Sequence, residues 1–162
     1  MALIAMTVSD TVEFVSDKDP SKTTTKVPVD ANDLSKGVRD EVTIGEGATI
    51  FFLGALDVFL MGYIYDNASS ISGKQGDDTV GIHTRVNQTN IEAVRHGLKG
   101  FRNFVDAKGN QIAFKTKKAV VNGREYDVAD DDTMAKLGLR LIQELAEKIK
   151  EISEVSADEE KN

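Results

Sequence analysis

The segment from Ile91 to Phe114 constrains the fold most, because a helical pattern runs into a β pattern across a turn. Its first part places apolar residues three or four positions apart, which gathers them on one helical face. These residues are Ile91, Val94, Leu98 and Phe101. Residues 106–110 then supply turn-forming side chains between two short apolar runs. The segment predicts a short helix followed by a hairpin.

The boundaries of this helix are set by its flanking residues. Thr89 and Glu92 have the spacing of a capping box, in which each side chain satisfies a free backbone N–H group of the first helical turn. We therefore expect a helix over residues 90–98, preceded by a short strand over residues 80–86. After the helix, residues 101–128 predict a β-meander. Its turns are expected at residues 106–110 and at Asn122-Gly123, a dipeptide typical of type I′ turns.

The N-terminal third predicts a β-hairpin followed by a strand and a helix. Residues 11–15 alternate apolar and polar side chains, residues 17–22 form a turn, and residues 23–29 are β-branched. Asp33 or Ser35 can cap a short turn in the polar stretch from 30 to 47. A buried strand is expected over residues 49–53.

The following helix is predicted over residues 55–65. Its apolar residues recur at helical spacing and are Leu56, Phe59, Leu60 and Tyr63. Gly62 costs helix stability of about 1 kcal/mol relative to alanine, which suggests a close neighbour at that position.

The C-terminal part predicts an amphipathic helix. The run from Asp130 to Asp132 places acidic groups where a helix begins, and the helix is expected to reach about Val155, with Gly138 as a dividing point. Its apolar stripe comprises Ile142, Leu145, Ile149 and Ile152. Glu144 and Lys148 have the spacing of a favourable ion pair on the polar face.

These elements together predict an α+β fold. It consists of an N-terminal β-hairpin and strand, central helices, a β-meander and a C-terminal amphipathic helix in one compact domain over residues 1–155. A mobile loop is expected near 67–79, where small and polar residues show no apolar periodicity. Residues 156–162 are predicted to form a disordered acidic tail.

Composition excludes several classes of protein. The chain has no cysteine, which rules out a disulfide scaffold, a thiol nucleophile and a thiolate metal site. Its net charge of −7 argues against a protein that coats nucleic acid. No signal peptide is recognised, and the longest apolar run, residues 48–61, is interrupted by Gly54 and Asp57. We therefore expect a soluble protein with no membrane association and no specific nucleic acid partner.

Charge is unevenly distributed along the chain. Every charged residue between Arg95 and Arg124 is basic except Asp106. One interpretation is a solvated hairpin face that keeps strand edges soluble. The other is a contact surface for an acidic protein.

No arrangement of residues indicates catalysis. His83 and His96 lack the neighbours of a metal motif, and Asp130 to Asp132 lacks the ligand spacing of a calcium loop. Residues 45–47 contain two glycines but no following GKS or GKT, so a phosphate loop is excluded. We expect a non-enzymatic protein without catalytic residues, cofactor or metal.

The helix-to-hairpin segment resembles a phage protein family. The run from Gly97 to Phe104, followed by Asp106, Gly109-Asn110 and Phe114, is similar to the corresponding segment of tail assembly chaperones of tailed bacteriophages. Residues 141–149 and the charged tail are also similar. Phe101 stands where tryptophan is common in that pattern, and Lys108 replaces an acidic residue.

The resemblance implies a protein that binds other phage proteins in the host cell cytoplasm during assembly. For a tail assembly chaperone the partners are the tape measure and tail-tube subunits. The alternative is a structural component of the mature virion, such as a neck or connector, capsid-associated or baseplate-associated subunit, with homo-oligomers possible.

Two surfaces are candidates for partner binding: the C-terminal helix stripe, whose other interpretation is that it completes the core, and the aromatic and basic segment before it. The residues assigned to partner binding are Phe101, Arg102, Phe104, Lys115, Lys117, Ile142, Leu145 and Ile149.

Overall fold

The structure is a computed structural model that describes the backbone of residues 10–69 and 78–158 and the side chains of residues 10–66 and 86–154. In chain order the strands are β1 (Thr11–Phe14), β2 (Lys22–Pro28), β3 (Val38–Ile44), β4 (Ile50–Gly54), β5 (Leu98–Arg102), β6 (Thr116–Val121) and β7 (Arg124–Ala129). The helices are α1 (Val58–Ser69), α2 (Asp78–Gly97), α3 (Asp131–Leu137) and α4 (Leu139–Asp158). The predicted α+β fold class is confirmed.

The core lies between a three-stranded antiparallel sheet and the helices. β4 is the central strand, with β1 on one side and β5 on the other. Alternation along β4 directs Phe51 and Leu53 into the interior, where both are buried. The register places Phe51 opposite Phe14 of β1 and opposite Phe101 of β5. This aromatic row joins the three strands on their buried face.

Helices α2 and α4 pack closely where α2 ends. A Cβ atom at Gly97 would lie only 2.6 Å from Cδ1 of Ile149, a distance too short for carbon atoms. Leu145 and Ile149 of α4 are fully buried, as is Val94 of α2. Glycine at position 97 therefore allows the two helix backbones to approach each other above the sheet.

The predicted N-terminal hairpin is wrong in its pairing. β1 pairs with β4 and contributes to the central sheet, whereas β2 pairs with β3. The stretch from 30 to 47 contains strand β3 in addition to the expected capped turn, in which Asp33 accepts a hydrogen bond from the Ser35 backbone N–H at 3.1 Å. The predicted strand over residues 49–53 corresponds to β4 and is confirmed.

Helix α1 begins later than predicted and buries a different face. Its first turn is capped by Asp57, whose side chain accepts from the Leu60 backbone N–H at 2.8 Å. Leu60 and Ile64 are buried, but Phe59 and Tyr63 are exposed, so the predicted stripe is wrong for those two residues. A Cβ at Gly62 would meet no atom within 4 Å, and the expected close neighbour is absent among the described residues.

Helix α2 replaces two predicted elements. The stretch 80–86 was expected to be a strand but lies inside the helix, which begins at Asp78. Thr89 and Glu92 therefore occupy the helix interior and do not form the predicted N-terminal box. The end of the helix at Gly97 agrees with the prediction. The predicted mobile loop near 67–79 overlaps the ends of α1 and α2, and its central residues 70–77 lie outside the described residues.

The predicted β-meander is correct only in part. β6 and β7 form the expected hairpin, and Asn122 and Gly123 have φ angles of 49° and 78°, as a type I′ turn requires. The turn over residues 106–110 is also present, closed by the Asp106 N–H donating to the Asn110 carbonyl at 2.9 Å. However, β5 pairs with β4, and only a single bridge, between Val105 and Gln111, spans that turn.

The C-terminal prediction agrees with the structure in most features. Asp130 caps α3 by accepting from the Thr133 backbone N–H at 2.8 Å, and Gly138 separates α3 from α4. Lys148 bonds Glu151 at 3.3 Å, which differs from the predicted pairing with Glu144. Helix α4 continues past Val155 into the stretch predicted as a tail, and residues 159–162 lie outside the described residues.

Candidate protein-binding surfaces

The aromatic residues assigned to partner binding form a cluster over one end of the core. Phe101 and Phe104 pack edge to face with ring centroids 5.1 Å apart, and each ring also contacts Phe51. Phe114 packs against Phe101 at 5.5 Å. These rings are half-buried, and most of their surface is used within the chain. Arg102 points to the other side of β5 and is exposed.

The helix stripe assigned to partner binding faces the interior. Leu145 and Ile149 have 0% exposure and Ile142 has 6%, and all three belong to the main core cluster. A partner cannot contact these side chains unless α4 separates from the sheet. Their burial agrees with the interpretation that the stripe completes the core.

Part of the basic segment is paired with acids that follow it in the chain. Lys117 and Arg95 both contact Oδ1 of Asp131, at 3.0 and 2.6 Å, and hydrogen bonding to Arg95 is the main cause of the lowered pKa of Asp131. Lys115 lies 3.7 Å from Asp132. The assigned residues Lys115 and Lys117 are thus exposed but already paired. The segment from Arg95 to Arg124 is basic in sequence because it ends before Asp131 and Asp132, which pair with its lysines in the fold.

Strands β2 and β3 form an exposed two-stranded ribbon that sequence reasoning missed. Even-numbered residues share one face of it, and on β3 that face carries three apolar side chains. Val38, Val42 and Ile44 are 60%, 50% and 51% exposed. Every residue of β3 is exposed, and β2 is its only strand partner within the described chain. The recurrence of apolar residues at 38, 42 and 44 was the available signal.

An apolar groove lies beside the base of this ribbon. It has a volume of about 610 Å³ and runs between the β1–β2 turn and the α3–α4 junction. Phe51 and Phe104 contribute to its lining, with Lys18 and Glu144 among the charged lining residues. Glu144 accepts hydrogen bonds from Ser16 Oγ at 2.7 Å and from the Asp17 backbone N–H, which fixes the turn against α4.

A buried polar network surrounds His96 near the end of α2. His96 is 4% exposed, and its Nδ1 donates to the Glu92 carbonyl at 3.0 Å, because a carbonyl oxygen can only accept. Its Nε2 is buried and has no hydrogen-bond partner. Tyr126 packs its ring edge-on to His96, and its hydroxyl donates to Asp57 at 2.9 Å. Burial is the main cause of the raised pKa of Tyr126.

Lys99 adjoins this network. Its Nζ donates to the His96 carbonyl at 2.9 Å, and burial lowers its pKa. The His96 Nε2 is fully buried, so this atom cannot contact a bound substrate without movement of the core. The side chain of His83 lies outside the described part. In the described part, no group of three or more histidine, aspartate or glutamate residues is placed to hold a metal ion.

Comparisons with known proteins add no family. No protein-family model matches the chain, and no curated protein or solved structure matches it. None of the described helices combines the length and apolar character needed to cross a bilayer.

Proposed function

We propose that this chain is a non-enzymatic assembly protein of a tailed bacteriophage that binds other phage proteins. Two separate sources support the proposal. The phage assignment rests on the resemblance of residues 97–114 to tail assembly chaperones. The assignment to protein binding rests on the exposed apolar face of the β2–β3 ribbon.

The ribbon face is the single observation that carries the binding role. Val38, Val42 and Ile44 each leave half or more of their side chains in water. Covering such a side chain with a partner contributes about 1 kcal/mol, since full burial of a valine or isoleucine contributes roughly twice that. Three neighbouring side chains on an extended ribbon therefore suit a protein surface more than a small molecule.

The first role within this proposal is that of a tail assembly chaperone for the tape measure and tail-tube subunits in the host cytoplasm. The apolar groove favours this role, because a chaperone holds apolar segments of its partner until they assemble. The partners come from the resemblance alone.

The second role is that of a structural virion component, such as a neck or connector, capsid-associated or baseplate-associated subunit. The exposed ribbon favours this role. A ribbon exposed on both faces can be enclosed between neighbouring subunits, which buries it permanently in the mature particle.

Affinity capture from infected cells tests the proposal. The tagged chain is expected to capture tape measure, tail-tube or virion proteins that are identified by mass spectrometry. A variant with Val38→Thr, Val42→Thr and Ile44→Thr keeps β-branched side chains but removes the apolar face, and it is expected to lose that capture. Val120→Thr is the matched control, because Val120 is an exposed valine on the other hairpin. Failure of the natural chain to capture any phage protein would refute the proposal.

Mass spectrometry of purified virions separates the two roles. Abundant peptides from this chain in mature particles would support the structural role and contradict the chaperone role. Their absence, together with capture of the tape measure or tail-tube protein from infected cells, would support the chaperone role.

A further inference from the structure

Strand β3 presents an open hydrogen-bonding edge. In the ribbon, backbone hydrogen bonds between β2 and β3 join facing residues that both have odd numbers. At its two ends, the Val29 N–H donates to the Gly37 carbonyl and the Gly45 N–H donates to the Ser21 carbonyl. Because bonded pairs alternate along an antiparallel ladder, the even-numbered residues of β3 direct their N–H and C=O groups outward. These residues are Val38, Asp40, Val42 and Ile44. No strand within the described chain pairs with them.

The opposite edge of the ribbon is closed to pairing. The outward-facing residues of β2 include Pro28, which has no N–H group to donate. They also include the exposed Lys26, and lysine at a strand edge is a common device against pairing with another chain. β3 has no proline in its ladder and its charges are of mixed sign. The difference between the edges identifies β3 as the one available for a further strand.

We propose that a second copy of this chain pairs with β3 in antiparallel orientation, with Asp40 opposite Asp40 of the second copy. The two ribbons then form one four-stranded sheet with the order β2-β3-β3-β2. In this register Arg39 lies opposite Glu41 of the second copy, and the two-fold symmetry produces that ion pair twice. Val38 lies opposite Val42 of the second copy, also twice, so apolar residues meet apolar residues.

Charge complementarity selects this register. Arg39 and Glu41 lie on the same face of β3, and no ion pair joins either of them to another described side chain. They would occupy non-hydrogen-bonded positions, where facing Cα atoms are only about 4.5 Å apart and side chains interact most strongly. A shift that placed Glu41 opposite itself would bring like charges together at that short spacing.

The proposed register places Asp40 opposite Asp40, which costs less than Glu41 opposite Glu41 in the shifted register. Asp40 and its symmetry mate occupy a hydrogen-bonded position, where the spacing is wider, about 5.5 Å between Cα atoms. Lys26 lies 3.9 Å from Asp40 within each copy and offsets its charge. Four strands also stabilise the ribbon itself, because an isolated two-stranded hairpin is only marginally stable in water. The pairing uses the edge of the ribbon and goes beyond the proposed phage role, on which it does not depend.

Charge reversal tests the pairing in the purified full-length chain. Sedimentation velocity over a concentration series is expected to show a reversible dimer. Arg39→Glu alone and Glu41→Arg alone should each raise the dimer dissociation constant by about tenfold or more, since each replaces two attractions by two repulsions. The double variant Arg39→Glu, Glu41→Arg should return to within about threefold of the natural chain, because the pairs are restored with exchanged positions.

The controls separate pairing from misfolding and from net charge. Lys108→Glu makes the same charge change as Arg39→Glu at an exposed turn and should leave the dimer unchanged. Asp40→Pro removes an outward N–H group without touching the β2 bonds, and it should give a monomer with an unaltered circular dichroism spectrum. A natural chain that stays monomeric throughout, or a double variant that does not recover, would overturn the proposal. Neither result bears on capture of phage proteins.

Discussion

The body of the molecule and the β2–β3 ribbon both contain antiparallel strands, but the two differ in how far their strands are covered. In the body, β4 places Phe51 and Leu53 against helices that cover them completely. In the ribbon, β3 places Val38 and Val42 on a face that no described element covers. Both segments are strands, but only β4 is stabilised by elements that pack on its face.

The two regions also differ in how they use charge. In the body, Asp131 accepts from both Arg95 and Lys117, so the charges are satisfied within the chain. In the ribbon, Arg39 and Glu41 carry no such pairing. Asp131 is thus paired within the body, whereas Arg39 and Glu41 are exposed and unpaired within the described ribbon, and charged side chains of this kind are available for an interaction.

The largest expected effect comes from truncating a core side chain of the body. Leu145→Ala should lower the free energy of unfolding by about 2–5 kcal/mol, because it leaves a cavity beneath α4 at a fully buried position. Val42→Ala in the ribbon should change it by less than about 0.5 kcal/mol. Urea denaturation of both variants measures the difference. Similar losses in the two variants would mean that the ribbon face is buried in solution.

The contact between α2 and α4 gives the next largest effect. Gly97→Ala places a methyl group within 3 Å of Ile149 and should cost about 1–3 kcal/mol through overpacking. Gly62→Ala is the matched control, because a Cβ at that helical position meets nothing within 4 Å. It should stabilise the chain by about 0.5–1 kcal/mol. A neutral Gly97→Ala variant would contradict the close approach of the two helices.

Acid should weaken the body at the start of α3. Hydrogen bonding lowers the pKa of Asp130 and Asp131, the first through the Thr133 backbone and the second through Arg95. A carboxylate with a folded-state pKa below its unfolded value stabilises the fold above about pH 4, and this contribution is lost as the pH falls through the folded-state pKa. The melting temperature should therefore decrease when the pH is lowered below about 4.

Asp131→Asn provides the check on that assignment. This substitution removes one of the titrating groups, so the decrease in melting temperature with acid should be shallower than in the natural chain. Glu41→Gln in the ribbon is the control when melting is followed at a dilution where the chain does not self-associate, because Glu41 has no ion-pair partner within the described monomer. An unchanged acid profile for Asp131→Asn would show that the ion pairs with Arg95 and Lys117 do not stabilise the body.

Local signals predicted the parts of the fold that local chemistry determines. The Asn122-Gly123 turn, the Asp130 cap and the separation of α3 from α4 at Gly138 each depend on neighbouring residues alone, and each is present. The partner of β1 was mispredicted because strand pairing is not local: the next extended segment along the chain was available, but β4 carries the apolar face that β1 must cover.

The candidate surfaces were predicted less well for a related reason. An amphipathic helix stripe has the same sequence pattern whether it packs in the core or binds a partner, so Ile142 and Leu145 were ambiguous until their burial was known. Thr89 and Glu92 have the spacing of a capping box, but the same spacing also occurs by chance inside helices, so it did not mark the start of α2. The ribbon was not predicted because turn-forming residues on both sides of β3 made residues 30–47 resemble a loop. Local propensity does not determine whether such a short segment becomes a strand.

The smallest expected effect on the body comes from removing most of the ribbon. Thr23 and Thr43 face each other at one of the odd-numbered, hydrogen-bonded pairs of the ribbon. If Asn-Gly replaces residues 24–42, this dipeptide should connect Thr23 to Thr43 through a type I′ turn. Val121 and Arg124 flank the natural Asn-Gly turn in the same way. Lys22 is retained, because its Nζ donates to the Val15 carbonyl at 3.2 Å and joins the ribbon base to the body.

The shortened chain should melt within about 3 °C of the natural chain when both are followed at a dilution where neither self-associates. Thermal unfolding at two protein concentrations separates the contribution of self-association, which only the natural chain should show. A large loss of stability at high dilution would mean that the ribbon supports the body directly. If the two chains have equal melting temperatures at high dilution but different ones at high concentration, the ribbon stabilises the protein only by contacting another molecule. This result is expected for a strand whose edge and face are covered on association.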